Sequence, residues 1–318
     1  MKPRVLVYTK YSTDLPRFVE MLSPDAAQAD FAFATTPEEA APHLPTTEIL
    51  YGWGFPLAMT KSMPRLKWIQ KMGAGVEDVS GVKWPFKDSV ILTRTDGRLI
   101  APRMVEYVLA AVLRRTLKTE ATDSLRRRRE WGYVELGSVR QETIGIAGLG
   151  EIGSEVAKAF RALGAKVVGW RRSDTPSPEV DRLFVGPEGL RDFLSSASTV
   201  VLVLPKTDET RRLIGREALA AVRPGVHLVN VGRGDLVDEP ALLEALDSGR
   251  VGHATMDVFA TEPLPPEHPF WDHPKVSMTP HLSGPLIPED VAPHFLRNLQ
   301  AYLERGTLQN VVDPQRQY

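Results

Sequence analysis

The chain has 318 residues, a net charge of −1 and no cysteine. Near-neutral charge gives no global attraction to nucleic acid or to an acidic membrane. The absence of thiols excludes disulfides, thiolate catalysis and cysteine-held metal, in keeping with a reducing cytoplasm.

The length predicts two domains, each able to bury a core without staples. No apolar run reaches the roughly 18 residues of a membrane span, and Val5-Leu6-Val7-Tyr8 is too short for a secretory leader. Short β-branched runs then alternate with helical patterns, which predicts an α/β fold with parallel sheets. In the first third the predicted strands are Val5–Tyr8, Phe31–Ala34, Ile49–Tyr51, Trp68–Lys71 and Val90–Thr93, with a helix near Leu15–Leu22. A long helix is predicted from about Pro102 to Glu130. Its first half, Met104–Leu113, is apolar on most faces and reads as buried. Its end, Arg126-Arg127-Arg128-Arg129, reads as a solvated face near a subunit contact, not as a nucleic-acid surface.

A second series begins at Thr143. Its predicted strands are Thr143–Ala147, Lys166–Trp170, Thr199–Leu204, His227–Val231, His253–Val258 and Val276–Thr279. Helices are predicted at Ile152–Leu163, Leu190–Ser195, Ala218–Val222 and Pro240–Ser248, with Gly164 and Gly249 placed to cap two of them. A last helix, Glu289–Glu304, lies beyond the series and is expected to pack back on the first domain.

The strand Thr143–Ala147 runs directly into Gly148-Leu149-Gly150-Glu151-Ile152-Gly153, and a helix follows. In such a turn the first glycine allows the tight bend, the second lets a pyrophosphate approach the backbone, and the third lets helix pack on strand. The helix N-terminus offers free N–H groups to the diphosphate. The turn therefore predicts a nicotinamide dinucleotide and redox chemistry. An NAD site places Asp or Glu at the end of the next strand; here that place holds Trp170-Arg171-Arg172-Ser173. Two guanidiniums and a hydroxyl suit a 2′-phosphate, so NADP(H) is expected over NAD(H).

Three polar clusters sit at the ends of later strands: Val229–Asp235, Met256–Leu264 and Met278–Gly284. Singly, Arg233, Glu262 and His281 could be a turn cap, a surface acid and a loop histidine. With Gly148–Gly153, Leu204–Thr210 and Asn230–Leu246, the set resembles the D-2-hydroxyacid dehydrogenase family over essentially the whole chain. The resemblance implies two Rossmann-like doubly wound parallel-sheet domains. The NAD(P)-binding domain, 99–284, is inserted into a discontinuous flavodoxin-like substrate domain, 1–98 plus 285–318, with the active site in the cleft.

It also implies catalysis by Arg233, Glu262 and His281. Arg233 would bind the substrate carboxylate and polarise the carbonyl, His281 would donate the proton, and Glu262 would orient His281 and stabilise its positive form. Asp257 matches the acid that bonds the nicotinamide carboxamide. Leu204, Pro205, Thr210, Val231 and Gly232 join the cofactor set. Backbone N–H groups of Ala74, Gly75 and Val76, within Lys71–Asp78, would grip the carboxylate, and Trp53 could line the same cleft or simply pack. No metal-ligand spacing occurs, and His227, His253, His268 and His273 lack an Arg and Glu partner set.

Three features are more similar to the bacterial NADPH-dependent glyoxylate/hydroxypyruvate reductases than to NAD-using members. They are Trp170–Ser173, Glu262–Pro266 followed by Pro269-Phe270-Trp271, and the ending Asn310–Tyr318. The segment Leu282–Pro288 departs from the commoner form and leaves the 2-oxo acid open. The family is usually dimeric, and Arg98–Trp131 matches its contact region, so a homodimer is expected. The alternatives are a dinucleotide-sensing binding protein or corepressor, a reductase of a larger 2-oxo acid, and formate or phosphite oxidation, against which the arginines argue.

Overall fold

The computed structural model describes residues 2–76 and 89–313. Glu77 and Asp78 of the glycine loop, and Pro314–Tyr318 of the ending, lie outside the described residues. The chain divides into two compact units, Met1–Ile100 with Leu286–Tyr318, and Ala101–Pro285.

The first unit holds β1 (Arg4–Thr9), α1 (Leu15–Leu22), β2 (Asp30–Ala34), α2 (Pro37–Ala40), β3 (Ile49–Trp53), β4 (Trp68–Lys71) and β5 (Ile91–Thr93). The five strands are parallel in the order β2-β1-β3-β4-β5. Alternation divides their side chains between two cores. Val5, Val7, Ile49 and Tyr51 face one side, where Phe18 and Leu22 of α1 meet them. Leu6, Tyr8, Leu50 and Ile69 face the other. Strands buried on both faces need continuous apolar runs, which is what the sequence supplies at these positions.

The last helix of the chain completes the unit. Val291, Ala292, Phe295 and Leu299 lie on its buried stripe and join the core of Val5 and Tyr51. Phe295 stacks on Tyr51 with ring centroids 4.2 Å apart and on Trp68 at 5.5 Å. Asn298 Nδ2 donates to Gln70 Oε1 at 2.9 Å.

The second unit holds a seven-stranded sheet. Its strands are β6 (Thr143–Ala147), β7 (Lys166–Arg171), β8 (Arg182–Val185), β9 (Thr199–Leu202), β10 (Val226–Asn230), β11 (Val251–Met256) and β12 (Val276–Met278), ordered β12-β11-β10-β9-β6-β7-β8. All pairings are parallel. Strand order reverses between β6 and β9, the place where an open α/β sheet leaves a crevice for ligands. Gly164 and Gly249 both take positive φ, 84° and 76°, just beyond helices Glu151–Ala162 and Glu239–Asp247, as their predicted capping role requires.

Two expectations are corrected. The long helix is two helices, Gly97–Thr116 (α3) and Thr119–Arg128 (α4), because Lys118 turns left-handed at φ 48°. Hydroxyls ease the break: Thr116 Oγ1 donates to the Val112 carbonyl at 2.9 Å and Thr119 Oγ1 to that of Arg114 at 3.3 Å. The segment Met104–Leu113, expected to be buried, is buried along one face only. Ala101, Met104, Val108 and Val112 form one buried stripe, while Val105, Leu109 and Leu113 are only half-buried. The short edge strand β8 was not predicted from sequence; four residues with only Phe184 buried carry little signal.

Candidate active site

Five loops line up along one edge of the second sheet because each begins by extending the hydrogen-bond ladder. Gly148 N–H donates to Trp170 O, Val203 N–H to Ala147 O, Val231 N–H to Leu202 O, Asp257 N–H to Asn230 O, and Thr279 N–H to Met256 O, all between 2.8 and 3.2 Å. These loops carry the glycine turn and all three polar clusters.

The remaining α-helices of this unit are α5 (Glu151–Ala162), α6 (Gly186–Ser196), α7 (Arg216–Ala221) and α8 (Glu239–Asp247), and the helix of the first unit that follows them is α9 (Pro288–Leu303). The glycine turn leads from β6 into α5. A Cβ on Gly153 would stand 1.8 Å from the Gly148 carbonyl oxygen, so only glycine lets helix and strand meet there. At Gly150 a Cβ would meet nothing within 4 Å, leaving the backbone open to an approaching diphosphate. The turn thus fits a dinucleotide. Glu151 and Ile152 form the first turn of α5, while Leu149 is buried against Gly169.

At the end of β7, Trp170 is turned inward, its Nε1 donating to Gly186 O at 2.8 Å, so any contact with a ligand there comes from its backbone. Arg171 is half-buried and donates to Ser177 Oγ at 3.2 Å. Arg172 is exposed and pairs with Glu209 at 2.9 Å, and Ser173 Oγ meets Thr175 Oγ1 at 3.3 Å. In the loop after β9, Leu204 packs beside Gly148 and Gly232. Thr210 Oγ1 donates to Pro205 O at 2.7 Å and closes that loop on itself.

Asn230, fully buried, shapes the turn that carries Arg233. Its Oδ1 receives Gly232 N–H at 3.1 Å and its Nδ2 donates to Arg233 O at 2.9 Å. Gly234 then lies against the backbone of the next loop: a Cβ would stand 1.8 Å from Phe259 C. Phe259 N–H in turn donates to Glu262 Oε1 at 3.0 Å, and Glu262 Oε2 meets His281 Nδ1 at 2.8 Å. Arg233, Glu262 and His281 are therefore linked through one backbone contact and two hydrogen bonds. Burial alone would raise the Glu262 carboxyl. The His281 hydrogen bond and the Phe259 N–H outweigh it, helped by the positive charges of His281 and Arg233, and hold Glu262 below the usual range.

Asp257 is fully buried and organises the His281 loop. Its Oδ1 receives Thr279 Oγ1–H at 2.5 Å and Leu282 N–H at 2.7 Å, its Oδ2 receives Ser283 N–H at 2.9 Å, and its carbonyl receives His281 N–H at 2.8 Å. His281 itself sits at φ 55°. Sequence reasoning singled out neither Tyr107, whose Oη lies 2.6 Å from Thr279 Oγ1, nor the turn-forming role of Asn230. An asparagine two residues before Gly232-Arg233-Gly234 was a readable turn signal; Tyr107 had none.

In the first unit, Gly73 O receives Thr95 N–H at 3.1 Å and Lys71 O receives Thr95 Oγ1–H at 3.2 Å. A trans peptide points its C=O and N–H in opposite directions, so the Ala74 N–H is turned away from Thr95. Ala74 and Gly75 are half-buried, and the Val76 side chain is in the core. Trp53 packs its ring on Gly73, and the buried Lys71 ammonium lies 5.0 Å from that ring.

The other histidines do other work. His227 and His253 sit ring to ring inside the second unit, bonded to Thr255 and Ser277, and burial pushes His227 down to about 3, which keeps it neutral. His268 and His273 each face a carboxylate, Glu239 and Asp247, at 3.4 Å. Among the described residues no group of three or more His, Asp or Glu could hold a metal ion, and no helix is long and apolar enough to cross a membrane.

Comparison with known proteins agrees with this geometry. Residues 108–283 match the family described as D-isomer specific 2-hydroxyacid dehydrogenase, NAD binding domain. Glyoxylate/hydroxypyruvate reductase A of Serratia proteamaculans is 34% identical over 265 residues, 82% of this chain and 84% of that one. A crystal structure of a D-isomer specific 2-hydroxyacid dehydrogenase from Xanthobacter autotrophicus Py2, in complex with NADPH and MES, superposes with a TM-score of 0.88 at 31% identity and full coverage of both chains. The NADPH-dependent glyoxylate/hydroxypyruvate reductase of Sinorhizobium meliloti, in complex with NADP and sulfate, gives 0.90 at 29% identity, also over both whole chains. With the glycine turn at a switch point of a parallel sheet and Arg233, Glu262 and His281 on neighbouring loops, the chain belongs to the D-isomer-specific 2-hydroxyacid dehydrogenase family.

Proposed function

We propose that this protein is an NADPH-dependent reductase of small 2-oxo acids, of the size of glyoxylate and hydroxypyruvate. Family membership makes it an oxidoreductase that uses a nicotinamide dinucleotide. The observation that carries the finer reading is the 2.8 Å bond between Glu262 and His281. It occupies Nδ1 and leaves Nε2 as the nitrogen that serves the substrate. Glu262, held ionised, stabilises the imidazolium, and His281 passes its Nε2 proton to the carbonyl oxygen as negative charge grows there. Arg233 binds the carboxylate and polarises the carbonyl. In the first unit, Ala74, Gly75 and Val76 are assigned to the carboxylate through backbone N–H groups, and Trp53 to packing around them.

Gly148–Gly153 with the start of α5 would hold the diphosphate, and Leu204, Pro205, Thr210, Val231, Gly232 and Asp257 would flank the rest of the dinucleotide. When bound, it supplies the hydride that reduces the carbonyl carbon. Arg171, Arg172 and Ser173 would take the 2′-phosphate. That preference is supported by their position at the end of β7 and by the NADPH and NADP named with two related structures.

A homodimer is also proposed. Val105, Leu109 and Leu113 form a half-buried stripe on α3, continued by exposed Leu117, and Trp131 and Tyr133 are almost fully exposed.

The test is consumption of NADPH and of NADH with a panel of 2-oxo acids, repeated with His281→Ala. Turnover with NADPH and the smaller acids is expected. A loss of about 100-fold or more in kcat is expected for the variant, with NADPH affinity within a few-fold. Strong preference for NADH would defeat the cofactor assignment, and unchanged turnover in the variant would remove His281 from the reaction.

A further inference from the structure

Tyr107, Thr279 and Asp257 form a hydrogen-bonded chain in which only Asp257 has a role above. The single hydroxyl proton of Thr279 goes to Asp257 Oδ1 at 2.5 Å. The 2.6 Å contact between Tyr107 Oη and Thr279 Oγ1 is therefore one in which the phenol donates. Burial of Tyr107, together with the Asp257 charge, holds the phenol above its ordinary range and keeps it a donor.

The chain ends on the residue that shapes the His281 loop. Asp257 receives the N–H groups of His281, Leu282 and Ser283, three consecutive residues, on its carbonyl and its two carboxylate oxygens. His281 sits at φ 55°, a left-handed conformation uncommon in a non-glycine residue, and these three hydrogen bonds hold it there. Met104 and Val108, on either side of Tyr107 in α3, are buried, which restrains the phenol.

We propose that Tyr107 is a positioning residue for proton transfer: through Thr279 it fixes Asp257, and through Asp257 it fixes the left-handed backbone that presents His281. The proposal rests on the reading of His281 as proton donor. A group displaced by an ångström can lose about 100-fold in rate without losing binding, so the effect falls on kcat.

The experiment compares Tyr107→Phe, Thr279→Val, Thr279→Ser and His281→Ala in the full chain with NADPH and glyoxylate, with thermal unfolding followed for each. Expected are folded proteins, kcat lowered at least about fivefold in Tyr107→Phe and Thr279→Val, and KM for NADPH and glyoxylate within about threefold. Thr279→Ser, which keeps the hydroxyl, should stay within about twofold of the unaltered protein. Wild-type kcat in Tyr107→Phe and Thr279→Val alongside an inactive His281→Ala would overturn the positioning role while leaving the proton donor in place. So would a Thr279→Ser as impaired as Thr279→Val, which indicates packing. Undiminished turnover in His281→Ala would overturn both, and is told apart because His281 itself is then silent. Should Tyr107→Phe not fold, the two Thr279 variants decide the matter alone.

Discussion

Arg172 and Glu209 meet at 2.9 Å with both side chains more than half exposed. Such a pair contributes little to stability, about 0–1 kcal/mol. Its effect on binding has a definite sign, because a 2′-phosphate at Arg172 must compete with Glu209 and is repelled by it. Glu209→Gln is therefore expected to lower KM for NADPH by about two- to fivefold and to leave KM for NADH unchanged. Steady-state kinetics with both cofactors checks it, and an unchanged or higher KM for NADPH would free Arg172 from that role. Arg233, Glu262 and His281 were legible as candidates only together, through the resemblance of the segments that carry them to a known family; the chemistry of reducing a carbonyl beside a carboxylate accounts for those residue types. Tyr107 was not, because it lies 172 residues from the hydroxyl it supports and a tyrosine on an apolar helix reads as core. The left-handed backbone of His281 was equally hidden, since histidine does not announce a positive φ as glycine does.

At the scale of elements, the loops after β10 and β11 are joined by a contact that no side chain could accommodate. A methyl on Gly234 would press on Phe259 C, its oxygen and Ala260 N, all backbone atoms between 1.8 and 2.4 Å away. Neither loop can yield without moving Arg233 or the Phe259 N–H that holds Glu262. Gly234→Ala is expected to cost about 1–3 kcal/mol or more in stability and to lower kcat/KM, measured by denaturant unfolding and by turnover. A variant with full stability and full activity would show that the two loops are independent. Most strands were read to within one or two residues because β-branched runs buried on both faces are continuous in sequence. The edge strand β8 and the break at Lys118 escaped for opposite reasons. The first buries too little to leave a pattern, and the second rests on threonine hydroxyls bonded back to the preceding turn in a segment that otherwise reads as helix.

At the scale of the whole molecule, the exposed Trp131 and Tyr133 and the half-buried face of α3 leave apolar surface that a second copy would cover. Light scattering is expected to give the mass of a dimer, and a monomeric mass at micromolar concentration would refute it. Local sequence by itself determined the parallel α/β class and the glycine turn, because period and turn chemistry are properties of short segments, whereas the candidate site residues came from the resemblance of segments spread along the chain. Only the tertiary structure decided the order of the strands, which sets the β6 and β9 ends side by side at the switch point. It also decided which N–H groups close around Asp257 and which hydroxyl backs them, since those contacts join residues far apart in the chain and depend on where the sheet and α3 bring them.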